Sequence, residues 1–179
     1  MDRETRIAWL VDHQQHPRHR GKLEGADVRM PGGNPGCGDV LTAWLKASPD
    51  ADRVEALTFE GEGCTLSQAA ASILAERVNR DRPTFEQVAE LTYEEMMDLL
   101  GRDLVNSRPR CATLALGTLK AAVRRLSMDR QLRAAGKTDA EIRALRGEET
   151  PEDAGLVFGE RAAGAAGPER RLPDPLRGA

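Results

Sequence analysis

Apolar residues first recur at a helical interval. Ile7, Leu10 and Val11 share one face of a short amphipathic helix predicted between Thr5 and His13. That helix must end before Pro17, which can neither donate a backbone hydrogen bond nor continue it. The compact apolar run Val40, Leu41, Ala43, Trp44, Leu45 reads as a strand. Pro49-Asp50-Ala51-Asp52 is turn chemistry, and Val54 to Phe59 beyond it alternates enough to form a second strand, paired antiparallel across that turn. A third strand is placed near Ala26 to Met30.

The pattern then turns helical. Leu66, Ala69, Ala70, Ile73, Leu74 and Arg77 form a stripe between Thr65 and Arg80, and three successive alanines let this helix sit close on a sheet. Two shorter helices are predicted over Thr84–Leu91 and Tyr93–Leu100, with Thr84 and Thr92 as N-caps and Gly101 as a stop. Asn106 to Arg110 reads as a loop, and Cys111 opens the longest helix. Ala112, Ala115, Leu116, Leu119, Ala122, Val123 and Leu126 lie three or four apart along that helix. A last helical segment covers Asp139 to Leu145. Beyond Gly147 the chain is Gly, Pro, Ala and charge, with almost no large apolar residue after Phe158, so a disordered tail is expected there. Trp44, Met96 and Met97 sit among apolar neighbours and read as core.

Composition narrows the function classes. A chain of 179 residues suits one ordinary domain with a real core. A net charge of −3 and 3% aromatic residues supply neither the basic face nor the stacking platforms of a nucleic-acid binder. No run of about 18 apolar residues is present, so no membrane span is expected. The charged start Met1-Asp2-Arg3-Glu4 is unlike a secretory signal, and three widely spaced cysteines are unlike a disulfide scaffold. A cytoplasmic protein with reduced thiols is the expectation.

The candidate chemistry lies with those cysteines. Asn34-Pro35-Gly36-Cys37-Gly38-Asp39 puts a thiol and a carboxylate two residues apart between glycines, and in an extended segment both side chains face one side. Cys64 and Cys111 each stand at a predicted helix start, where unpaired N–H groups favour a thiolate. Arg108 and Arg110 should lower the Cys111 pKa further, whereas Glu60 and Glu62 oppose ionisation of Cys64. Three thiolates and one carboxylate make a dispersed site suited to zinc or to iron. The alternatives are small buried thiols with no role and a purely structural zinc. His13, His16 and His19 also suggest a metal, but Pro17 breaks the helix that would align them, and Arg18 and Arg20 add opposing charge. A locally hydrogen-bonded turn is the better reading.

Three stretches, Asn34-Pro-Gly-Cys-Gly-Asp39, Phe59-Glu-Gly-Glu-Gly-Cys-Thr-Leu-Ser67 and Arg110-Cys-Ala-Thr-Leu-Ala-Leu116, resemble the cysteine motifs of the NifU/IscU/SufU family of iron–sulfur cluster assembly proteins. Val11-Asp-His13, Pro17-Arg18 and Gly21 resemble that family's N-terminal helix and turn, and the likeness runs from about Thr5 to Leu126. The resemblance implies an α+β fold of SufE/NifU type, a small antiparallel three-stranded sheet with helices packed on it. It implies an assembly domain over 1–128, with 129–146 a C-terminal helical extension and 147–179 the tail. Cys37, Asp39, Cys64 and Cys111 match the family's ligands, for zinc, iron or a transient [2Fe-2S] cluster. A cysteine desulfurase and downstream assembly or acceptor proteins are the implied partners, with neither nucleic acid nor membrane. Cys111 is taken as the sulfur acceptor.

Two departures bear on the branch. Arg110 stands where the scaffold branch has a histidine, and arginine is no ligand at ordinary pH. Leu104-Val-Asn-Ser-Arg108 replaces the Leu-Pro-Pro-Val-Lys stretch, which counts against an Hsp70-type chaperone as a partner. A basic residue followed by Cys-Ala-Thr-Leu is closer to SufU, a zinc-dependent sulfurtransferase, although the Cys64–Cys111 interval is shorter than is typical there. The resemblance therefore implies an assembly protein that scaffolds or relays sulfur, or alternatively a SufU-type enzyme that only passes it on.

Overall fold

Three strands form an antiparallel meander in the order β1-β2-β3: β1 (Val28–Asn34), β2 (Asp39–Ala47) and β3 (Val54–Glu62). The computed structural model describes residues 1–147; the disorder expected of 148–179 lies outside the described residues. Alternation in β2 decides which face is buried. Asp39, Leu41, Ala43, Leu45 and Ala47 turn inward, while Val40, Thr42, Trp44 and Lys46 turn to the other face. Trp44 is thus not part of the core, as its apolar neighbours suggested. Its ring lies on the outer face under the Arg29 guanidinium, at 5.4 Å. Met96 is buried and Met97 packs half-buried against the core.

Helices α2 (Thr65–Asp81) and α6 (Pro109–Ala134) cover the inner face, α2 over β3 and α6 over β1 and β2. Leu45, Leu57 and Phe59 meet Ala69, Ala70, Leu74, Leu116 and Leu119 in one contiguous core. Each fully buried large side chain of this kind contributes about 1.5–3 kcal/mol. The outer layer is α1 (Arg3–Gln15) on α2, and α3 (Phe85–Glu90) and α4 (Tyr93–Leu100) on α6. Thr84 with Gln87 and Thr92 with Glu95 form reciprocal capping boxes, so both expected N-caps are in place.

Other differences from the sequence reading have local causes. The third strand runs on to Asn34 through Pro31 and two glycines, poor strand formers. It is an edge strand, where a residue lacking an N–H is tolerated. The long helix starts at Pro109, not Cys111, because a proline fits the first helical position, where its missing donor costs nothing. A four-residue helix, α5 (Arg102–Val105), follows Gly101 and is too short to leave a periodic signal. The final helix α7 (Asp139–Leu145) matches its expected bounds and is capped by Thr138 and Glu141. It buries Ile142 and is tied to α6 by Arg133–Asp139 at 2.8 Å and by the Arg146–Asp129 ion pair. The boundary expected at 128/129 falls inside α6, which continues unbroken to Ala134. Among the described residues no helix is long and apolar enough to cross a membrane.

Candidate metal centre

The meander brings three chain ends to one edge of the sheet. Asn34, the last residue of β1, pairs with Asp39, the first of β2, and Val40 pairs with Glu62, the last of β3. The chain leaving β3 enters α2 at Cys64, and α6 begins above the same edge. Cys37 comes from the β1–β2 turn, Asp39 from β2, Cys64 from the N-cap of α2 and Cys111 from the first turn of α6.

The four-residue turn 35–38 is built by its sequence. Pro35 presets the first turn residue, the Asn34 carbonyl accepts the Cys37 N–H at 3.0 Å, and Gly38 takes a left-handed φ of +69°. Cys37 and Asp39 therefore meet through a hairpin, not through the extended i, i+2 relation inferred from spacing. Cys37 is exposed at the turn, while Asp39 is 1% exposed beneath it.

One oxygen of Asp39 accepts the Cys64 backbone N–H at 2.8 Å, and the other lies 3.8 Å from the Cys64 sulfur. Gly63 makes this possible, since a Cβ there would come within 2.6 Å of both Asp39 Oδ1 and Ser67 Oγ. Cys111 Sγ sits 3.4 Å from Cys37 Sγ, and Asn34 Nδ2 donates to the Cys111 sulfur at 3.5 Å. Ligand atoms of Cys37, Asp39 and Cys111 all lie within 4.8 Å of one another, the one such group of three or more found among the described residues. Cys64 lies outside that triad and flanks it through its contact with Asp39. An apolar groove lined by Ile7, Leu10, Val11, Leu66 and Leu104 opens beside Cys64.

The thiols divide differently from the sequence reading. Cys111 is 1% exposed, and burial pushes its pKa well up; hydrogen bonding with Asp39, Cys37 and Cys64 favours the same neutral form. Arg108 and Arg110 are exposed and do not overcome this burial. At Cys64, burial also works against ionisation. It is outweighed by the Ser67 backbone N–H and hydroxyl, the Cys111 thiol and the Leu66 N–H, which together hold the pKa below the ordinary thiol value. Of these two, Cys64 and not Cys111 has the thiolate favoured in the metal-free chain.

The histidines do not converge. His13 is buried in α1 with Nδ1 2.8 Å from Ser72 Oγ, His16 meets Asp12 at 3.2 Å, and His19 adopts a left-handed φ of +57°. Asn34 and Ser67 contribute to the site although their spacing gave no role to either. A polar residue ending a strand beside the thiol motif was the available sign for Asn34, and an i+3 hydroxyl after a helix-start cysteine for Ser67.

Residues 8–132 match the family described as the NifU-like N terminal domain. The chain is 31% identical over 136 residues to the iron-sulfur cluster assembly scaffold protein IscU of Streptococcus pyogenes serotype M1, spanning 66% of this chain and 82% of that protein. It is also 31% identical over 129 residues to the zinc-dependent sulfurtransferase SufU of Bacillus subtilis (strain 168), spanning 64% of this chain and 86% of that one. The crystal structure of a nitrogen-fixing NifU-like protein (N-terminal) from Brucella abortus superposes with a TM-score of 0.54 at 17% identity, over 65% of this chain and 90% of that chain. At that identity the likeness is one of fold.

Proposed function

The chain belongs to the NifU-like N-terminal domain family, and from that membership we propose that it serves iron–sulfur cluster assembly, accepting sulfur from a cysteine desulfurase and holding or relaying it at Cys37, Asp39, Cys64 and Cys111. The observation that supports this reading is the convergence of Cys37, Asp39 and Cys111 to within 4.8 Å, with Cys64 against the same carboxylate.

Three sulfurs and one oxygen suit zinc or iron, and a bound ion would hold the thiols as thiolates. In this reading a [2Fe-2S] cluster is cargo, built and then surrendered. Asp39 supplies the single hard donor among soft ones, which suits a site that must let its cargo go. We assign sulfur acceptance to Cys111, because its sulfur adjoins Cys37 at 3.4 Å and lies within 4.8 Å of the Asp39 carboxylate, so sulfur placed there lies beside both. At 1% exposure it receives that sulfur only when the site opens locally.

A second reading, zinc-dependent sulfur transfer without cluster building, is favoured by one feature. Arg110, exposed and unable to ligate, immediately precedes Cys111.

Anaerobic incubation of the full chain with a cysteine desulfurase, cysteine, ferrous iron and a thiol reductant, which supplies the electrons that take persulfide sulfur to sulfide, separates the two. Visible cluster absorption on this chain supports assembly. Purification with about one zinc per chain, faster desulfurase turnover and no cluster absorption supports transfer. Neither outcome, with Cys111→Ser as active as the wild type, would dismiss both.

A further inference from the structure

Resting on that reading of the site, we propose that Asn34 is its positioning residue, donating a side-chain N–H to the Cys111 sulfur and so tuning how that sulfur holds a metal. Asn34 is 5% exposed, an unusual place for an amide, and burying one without a partner costs about 1–3 kcal/mol. Its Nδ2 lies 3.5 Å from Cys111 Sγ, 77 residues away in the chain.

The main chain and side chain of Asn34 perform separable tasks. The carbonyl accepts the Cys37 N–H at 3.0 Å and closes the turn, which any residue could do. The backbone also pairs with Asp39 across the hairpin. The amide is not needed for either contact and is spent on the sulfur. One residue thereby touches all three members of the Cys37–Asp39–Cys111 group.

An N–H donor draws charge from a thiolate and fixes its orientation. Partners of this kind beyond the ligands themselves change metal affinity by about 10–100-fold when removed, and hydrogen bonds to ligand sulfurs also set the electronic properties of the centre.

The test uses cobalt(II) titrated into the metal-free full-length chain, with a chelator competing and the thiolate-to-cobalt charge-transfer band recorded. Asn34→Leu keeps the side chain's bulk without the donor, and Asn34→Ala serves if the leucine variant misfolds. Loss of about tenfold in cobalt affinity with a band moved to longer wavelength supports the proposal. A merely structural role would lower the melting temperature of the metal-free chain and leave the band where it was. An unshifted band with wild-type affinity overturns the proposal. Absence of any charge-transfer band in the wild-type chain would overturn the metal-site reading itself, and this inference with it.

Discussion

Asp39 Oδ1 accepts the backbone N–H of Cys64 at 2.8 Å, so the carboxylate that ends the cysteine turn also anchors the start of α2. The two residues are 25 positions apart, and one bond fixes two elements of the site. Asp39→Ala should leave the Cys64 N–H without its acceptor and lower stability by about 1–3 kcal/mol. Asp39→Asn keeps an oxygen there, so stability should be largely retained while metal affinity falls. Urea denaturation paired with chelator competition would reveal the split; equal losses in both variants would contradict it.

Gly63 is where that carboxylate needs room. In Gly63→Ala the new Cβ, within 2.6 Å of Asp39 Oδ1 and Ser67 Oγ, must displace one of them. Overpacking of this kind costs about 1–3 kcal/mol. The larger consequence should be for metal uptake, reduced by about tenfold or more as the ligand and its neighbours shift. Far-UV circular dichroism should remain that of the wild type. Undiminished metal affinity would show that the backbone yields without moving Asp39.

The thiols should differ in accessibility in the metal-free chain. Cys37 is exposed, Cys64 half-buried and Cys111 1% exposed. Alkylation followed over time by peptide mass spectrometry should label Cys37 first and Cys64 next, with Cys111 last and slowly through local opening of the site, and promptly only in denaturant. Early labelling of Cys111 would mean that the β1–β2 turn opens more readily than its packing implies.

His13 should make stability depend on pH. Burial lowers its pKa from 6.5, with the Arg18 charge acting the same way and Glu76 and Asp12 opposing. The Ser72 hydroxyl accepts the Arg18 N–H at 2.8 Å and lies 2.8 Å from His13 Nδ1, an arrangement that suits a neutral ring. The folded state therefore binds the proton less tightly than the unfolded state. This contribution is fully present above pH 6.5 and is lost as pH falls from 6.5 through the lowered folded value. Urea midpoints measured across that window should decline in the wild type and flatten in His13→Asn. Parallel curves would place the pH dependence elsewhere.

Local rules made much of the architecture legible. Helical intervals are set by contacts three and four residues apart, so α2, α4 and α7 lie close to where their apolar stripes put them. Thr84 and Thr92 are caps because a short hydroxyl side chain satisfies N–H groups within its own turn. The cysteines and Asp39 could be nominated by residue type, since three thiols and one carboxylate form a donor set that suits zinc or iron.

What sequence could not decide is everything that depends on groups far apart in the chain. Convergence of the candidate ligands follows from strand register and from α6 packing over β1, which brings Asn34 and Cys111, 77 positions apart, into contact. Ionisation of a thiol depends on how thoroughly the fold removes water from it. A helix start and two nearby arginines pointed to Cys111, yet burial under the β1–β2 turn keeps that thiol neutral and leaves the easier ionisation to Cys64. Trp44 left the core for a like reason: alternation along one strand tells two faces apart, and only the packed helices say which of them is inside.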